Sequence, residues 1–345
     1  QGGYRPEDAA RLAEQVLTTL GHESASGVSG ERELIFSAWR LLIETLSQQA
    51  PTILVFDNLH WASESLLDLV EHLCSVRSTS SLLLLTLSRP ELLDRRPNWG
   101  GGRQNFTSLA LQPLSPKRCI ELVKRLAPDL PEEVSAKIAE SAAGNPFFVQ
   151  ELVRGLAERG LAGASASAEV LPDTVRGAVL ARLDLLSRTE REIVQVASVA
   201  SHTFTPTLFQ RVLPTTSSET IETALNSLLA RDMLAPAVGG AFTFPHVLVL
   251  DVTYDTLSRA ERIRLHKAIA SALLEEAGEQ VDECAELLAY HYSKAVQISK
   301  MSAVPQKLEV ETERAITFLV RAGELASRAG ASGEALTHFQ SAIEL

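Results

Sequence analysis

A short apolar run that stops on a carboxylate limits the fold of this chain more than any other feature. Residues 51–61 read Pro-Thr-Ile-Leu-Val-Phe-Asp-Asn-Leu-His-Trp. Ile53, Leu54, Val55 and Phe56 are apolar on both alternating faces and too few to make a helix, which predicts a strand buried on both sides within a parallel sheet. The run ends at Asp57. An acid at the carboxyl end of such a strand lies where open α/β sheets bind ligands; a surface aspartate that merely ends a strand has the same local sequence. A second run, residues 82–87, leads into Ser88-Arg89-Pro90. Between the two runs, Leu66, Leu69, Val70 and Leu73 fall at helical spacing behind Ser63 as a cap. Strand, helix and strand in this order predict parallel strands joined by a right-handed crossover. Ser88 and Arg89 then share a sheet edge with Asp57.

The remaining signals are mostly helical. Residues 6–20 have helical spacing closed by Gly21, and a Ser/Gly-rich loop follows to Ser29. Residues 31–49 place Leu34, Ala38, Leu41, Leu42 and Leu46 on one helical face. The three glycines within residues 98–103 read as a loop, because the lysine and hydroxyl that close a phosphate cradle are missing. Helices are predicted to start at Ser115-Pro116, at Pro131 and, after Gly144-Asn145, at Pro146, whose ring suits a first helical turn. Residues 161–168, rich in Ala, Ser and Gly, form the best linker. Beyond Pro172 comes a helix, then a capping box at Ser187 and Glu190, a short helix at Thr205-Pro206, and an amphipathic helix carrying Ile221, Ala224, Leu225, Leu228 and Leu229. A hairpin around Gly239-Gly240 completes the pattern of a winged helix. Towards the end, Leu319, Ala322, Gly323, Ala326, Gly330, Ala335, Phe339 and Ala342 match the tetratricopeptide template, and residues 287–295 resemble a degenerate earlier repeat.

The expected fold class is therefore α/β, a partial nucleotide-binding core with a parallel sheet, followed by an all-α helical subdomain, a winged helix and the start of a helical repeat array. The expected boundaries are 1–114, 115–165, 170–275 and 280–345. One repeat cannot bury its own face, so more repeats are expected to follow. The first residue is Gln1 rather than methionine, which suggests a piece of a longer polypeptide. The three cysteines, Cys74, Cys119 and Cys284, have neither pairing nor metal-ligand spacing, which points to a reducing, cytoplasmic setting and to no zinc site. The longest strongly apolar run is strand-sized, so no membrane span is expected. A formal charge of −11, with Glu219 and Glu222 on the recognition-position helix of the winged helix, argues against direct nucleic-acid contact.

Several of these segments, in this order, resemble one family. Phe56-Asp57-Asn58-Leu59-His60-Trp61-Ala62-Ser63 is similar to the Walker B segment of the signal-transduction ATPases with numerous domains, the STAND branch of AAA+-like P-loop proteins. Residues 82–92 resemble the sensor strand, Gly144-Asn145-Pro146-Phe147-Phe148 the helical-subdomain motif, and Phe244-Pro245-His246 through Tyr254 and His266 the winged-helix tail. Modules of this kind occur in bacterial adenylate cyclases, large ATP-binding LuxR-type regulators and multidomain Ser/Thr kinases. The resemblance implies a signal-transduction switch that binds ATP or ADP with magnesium. It gives Asp57 the metal, Ser88 and Arg89 the terminal phosphate, Pro146 the adenine and His246 a diphosphate contact that locks a closed state. Read from local sequence alone, Arg89 also suits a loop cap, and His246 a core or surface filler.

Two departures matter. The second acid expected after the Walker B aspartate is Asn58, and an amide cannot take a proton from attacking water, so hydrolysis is expected to be slow or absent at these catalytic positions. No Gly-x-x-x-x-Gly-Lys-Ser/Thr occurs anywhere in the chain, which fits truncation better than loss and predicts weak or no nucleotide binding by these residues alone. The resemblance further implies an effector domain in the same polypeptide, a protein or peptide ligand on the repeats, and homo-oligomerisation on activation as an option. The alternative is a nucleotide-independent repeat scaffold with a degenerate core.

Overall fold

The apolar runs form the two expected strands. β1 (Thr52–Phe56) and β2 (Leu82–Thr86) pair in parallel, with Thr52 opposite Leu82 and Phe56 opposite Thr86. The computed structural model describes residue 16 and residues 32–75, 81–103, 105–161, 171–200, 203–278, 280–302 and 306–345. The expected helix over residues 6–20, its following loop and the linker over 161–168 lie, apart from Val16 and Leu161, outside these. The described residues are mostly helical, with this small parallel sheet and one short antiparallel pair. No helix among them is long and apolar enough to cross a membrane.

The chain divides into two compact units. Gln1–Ser108, Leu274–Val296 and Lys307–Leu345 make the first; Leu109–Leu273 and Gln297–Gln306 make the second. In the first unit, α1 (Arg32–Gln49) precedes β1, and α2 (Glu64–Ser75) crosses over to β2. A short α3 (Glu91–Arg95) follows. Leu59, Leu67, Val70 and Leu92 form a small core to which Phe56 and Trp99 add.

The structure corrects the expected burial of this layer. One sheet face is open: Ile53 and Val55 on β1 and Leu83 and Leu85 on β2 are exposed large apolar residues in register across the ladder. Apolar composition identified strands, but burial on both faces needs covering layers, and this sheet has only two strands among the described residues. Helix stripes are rotated as well. α1 buries Ile35, Ala38 and Ile43 and exposes Leu34, Leu42 and Leu46, while α2 buries Leu67, Val70 and Leu73 and exposes Leu66. Both helices are apolar on more than one side, so periodicity alone left two stripes open.

The second unit starts with α4 (Pro116–Leu126), α5 (Glu132–Ala142) and α6 (Pro146–Glu158), which share a core of Val123, Ile138, Val149 and Leu152. α7 (Val175–Leu183) puts Ala178 into that core and Val179 and Leu183 into the next. That larger core joins α8 (Arg188–Ala200), α9 (Pro206–Val212), α10 (Ser218–Ala230) and α11 (Val247–Asp255) around Ile193, Phe209 and Ile221. The hairpin is shorter than expected. β3 (Ala235–Pro236) pairs only with β4 (Phe242–Thr243). The capping box at α8 is formed, with Ser187 N–H donating to Glu190 Oε2 at 2.7 Å and Glu190 N–H to Ser187 Oγ at 3.3 Å.

Two helices, α12 (Arg259–Ala277) and α13 (Ala285–Lys300), lead to the antiparallel pair α14 (Glu309–Arg328) and α15 (Ser332–Glu344). The small residues of the repeat pattern sit where this pair closes. A Cβ added to Gly323 would lie 2.6 Å from the Phe339 ring, closer than any real contact allows.

Candidate functional site

Parallel pairing brings the ends of β1 and β2 together, and backbone bonds continue past the strands. Leu87 N–H donates to Phe56 O at 2.8 Å, and Leu59 N–H donates to Leu87 O at 2.9 Å. Between these rungs the first loop must turn sharply. Asn58 takes a left-handed conformation, φ 55° and ψ 38°, which asparagine tolerates better than most residues. Its backbone N–H donates to Asp57 Oδ1 at 2.8 Å. The left-handed turn at this position is a local feature that sequence reading missed.

Asp57, Asn58, Ser88 and Arg89 are all exposed at this edge. Among the described residues Arg89 makes no ion pair, so its guanidinium is open to an anion. Magnesium takes one or two carboxylates and fills its other positions with water and phosphate, and the single Asp57 carboxylate, fixed through Oδ1, fits that habit. Among the described residues, no group of three or more His, Cys, Asp or Glu side chains is placed to cage a metal. ATP or ADP would need a phosphate cradle besides, and the chain's sequence contains no P-loop.

His60 is the site residue that sequence reading missed. It lies in a single 3₁₀ turn, Leu59–Trp61, and is only 8% exposed. Arg89 N–H donates to its Nδ1 at 3.3 Å, so the imidazole spans the two loops. Its Nε2 is buried and without a partner among the described residues. Arg95 holds the turn in place, Nη1 donating to His60 O and Nη2 to Ala62 O, both at 2.9 Å. Trp61 packs on the imidazole with ring centroids 4.8 Å apart. The only signal in the sequence was a polar side chain next to the Asp57 turn.

Pro146 and His246 lie in the second unit. The Gly-Asn-Pro segment divides three jobs. Gly144, at φ 85°, comes so close to Pro113 and Leu114 that a Cβ would lie 2.6 Å from Pro113 Cβ. Asn145 caps α6, its Oδ1 accepting from Phe147 N–H at 3.0 Å and Phe148 N–H at 3.3 Å. Pro146 is exposed in the first turn. His246 is itself a helix cap, its Nδ1 accepting from Leu248 N–H at 3.1 Å at the start of α11. Its ring stacks on Phe147, centroids 3.9 Å apart and planes 13° from parallel. Pro146 and His246 are thereby neighbours through Phe147.

A family model described as a domain of unknown function matches residues 119–163. An uncharacterized protein of Rhizobium meliloti (strain 1021) is 24% identical over 336 residues, covering 91% of this chain and 30% of that protein. The fold is similar to that of a STAND protein. A crystal structure of the Signal Transduction ATPase with Numerous Domains protein with a tetratricopeptide repeat sensor, from Pyrococcus horikoshii, superposes with a TM-score of 0.57 at 13% identity, covering 97% of this chain and 50% of that one. The chain thus spans under a third of the one protein and half of the other.

Proposed function

We propose that this chain belongs to a regulatory ATP/ADP-dependent switch in a multidomain signal-transduction protein. The observation that carries the reading is the knitting, at one sheet edge, of the two strand-end loops that carry Asp57 and Arg89, through bonds of Leu87 to Phe56 and Leu59 and of Arg89 to His60. A carboxylate for magnesium and an arginine for a terminal phosphate at such an edge are the polar groups that a nucleotide switch requires. The STAND-like fold adds support, since the Pyrococcus protein is an ATPase with a repeat sensor. On this reading α7 to α11 with the hairpin form a winged helix that acts as a lid, and α14 and α15 begin a sensor for a protein or peptide. Exposed Glu219 and Glu222 on α10 would repel a phosphate backbone, which favours the lid over a DNA reader. Closure around a nucleotide is a reasonable switch, because each phosphate contact differs between states. The effector domain, homo-oligomerisation and a cytoplasmic setting belong to the same proposal.

The test is calorimetric titration of ATP and ADP, with and without magnesium, into the full-length polypeptide and its Asp57→Ala variant. Magnesium-dependent binding that the substitution weakens by about tenfold or more, the loss of a charge-assisted contact, is expected. A folded protein that binds neither nucleotide would leave a repeat scaffold with a degenerate core.

A further inference from the structure

The ladder between β1 and β2 has one rung that the backbone alone cannot make. Leu87 uses both of its backbone groups on the first strand, to Phe56 O and Leu59 N–H. Two residues on, Arg89 N–H points the same way, but the first chain has already turned off through left-handed Asn58 into the 3₁₀ turn. The imidazole of His60 supplies the missing acceptor. Because Nδ1 accepts, the proton of the neutral ring sits on Nε2, and that donor is buried without a partner among the described residues. Arg95 pins the carbonyls on either side of Trp61 and so fixes the backbone that carries the ring.

We infer that His60 is a positioning residue: it sets the backbone from which Arg89 reaches its anion, and so couples the Asp57 loop to the phosphate-sensing loop. Its two nitrogens are unequal. The Nδ1 bond holds the loops together, while the buried Nε2–H regains water only when the turn opens, so the closed arrangement is held against an opposing cost. The terminal phosphate that Arg89 meets would be felt at Asp57 through this ring. The inference rests on the nucleotide reading proposed above, and it adds the residue that holds Arg89 where it can tell ATP from ADP.

Three measurements test it. Long-range proton–nitrogen correlation spectra of the wild-type chain should show His60 with Nδ1 unprotonated and Nε2 protonated; the opposite tautomer overturns the inference without any variant. His60→Leu should speed amide hydrogen exchange at Arg89 by about fivefold to tenfold, the loss of one hydrogen bond, and His60→Gln, whose side-chain oxygen can accept, should restore protection. Unchanged exchange in His60→Leu overturns it. In the full-length polypeptide, the ratio of ADP to ATP dissociation constants should fall by about fivefold in His60→Leu and recover in His60→Gln. Nucleotide binding with an unaltered ratio sinks the coupling alone, whereas a wild type that binds neither nucleotide sinks the switch reading and the sensing role with it.

Discussion

The second unit closes its core around Ile193, Val194, Phe209 and Ile221, all 0% exposed, while the sheet of the first unit leaves Ile53 64% and Val55 56% exposed. The second is held by interdigitated helices, so its order follows from burial. The α/β part of the first unit has a thin apolar layer whose loops are fixed by polar contacts: Arg95 on two carbonyls, His60 on Arg89, and Arg96 on Glu64 and Asp68. A region ordered in this way can change its polar partners without losing a core, and that suits a sensing edge better than a packed interior does.

The comparison breaks first where the second unit departs from its own rule. Arg182 on α7 is 0% exposed and pairs with Glu151, 1% exposed, at 2.7 Å and with Glu158 at 2.8 Å, while also donating to the carbonyl of Arg231 beyond α10. Charges buried this deeply are tolerated only because they are paired. Arg182→Ala would leave buried Glu151 only the longer contact from Arg154 Nη1 at 3.4 Å and is expected to cost about 3 kcal/mol, read as a lower urea midpoint. Replacing both partners, Arg182→Met with Glu151→Met, should recover most of that loss, since apolar groups of similar size replace buried pairs well. A small effect of Arg182→Ala would mean that the seam between α6 and α7 admits water and that the second unit is looser than its packing suggests.

A smaller effect is expected in the first unit, where Glu334 of α15 reaches the start of α2. Its Oε1 accepts from Ser65 N–H at 3.1 Å and its Oε2 from Ser65 Oγ at 2.8 Å. Burial pushes this carboxyl upwards, but the bonds from Ser65 and Ser63 outweigh burial and hold it below its ordinary 4.5. A carboxylate lowered in the folded state stabilises fully above its unfolded pKa, and that contribution is lost as pH falls from about 4.5 through the lower folded value. Glu334→Gln should cost about 1 kcal/mol at neutral pH, the scale of a charge at a helix N-terminus, and the gap from wild type should close in acid. A gap that stays constant with pH would show that packing, not charge, holds α15 to α2. Because Leu66 N–H also has Ser63 Oγ at 3.2 Å, α2 should keep its start in the variant.

These contacts show which parts of the molecule could be read from sequence. Strands ending at Asp57 and Ser88, the cap and first-turn proline at Asn145-Pro146 and the Ser187–Glu190 box were legible because each signal lies within a few residues of its effect. What sequence could not show depends on distant partners. His60 meets an amide 29 residues away and Glu334 a helix start 269 residues away, and neither residue type announces this. Arg182 meets Glu151 31 residues away, and no local pattern marks either one. His246 was weighed as a filler or a diphosphate contact; its role as a helix cap rests on an imidazole acting where serine or aspartate is usual. The open sheet face was missed because apolar residues signal a strand but not the number of layers over it.

The smallest expected effect tests that open face most directly, because one chemical change can be made in both units. Valine to threonine keeps the branched shape and adds a hydroxyl. At Val196, 1% exposed on α8, the hydroxyl would be buried and should cost about 1–3 kcal/mol. At Val55 the side chain already meets solvent, threonine is a good strand residue, and the change should stay within about 0.5 kcal/mol. Equal losses at the two positions, measured by urea unfolding, would mean that the Ile53 and Val55 face is covered in solution. The α/β part of the first unit would then be ordered by burial like the second unit, and the contrast between a packed body and a polar-held edge would fail. A loss confined to Val196 would keep that contrast and leave the Asp57 and Arg89 loops as the less strongly packed, more responsive part of the molecule.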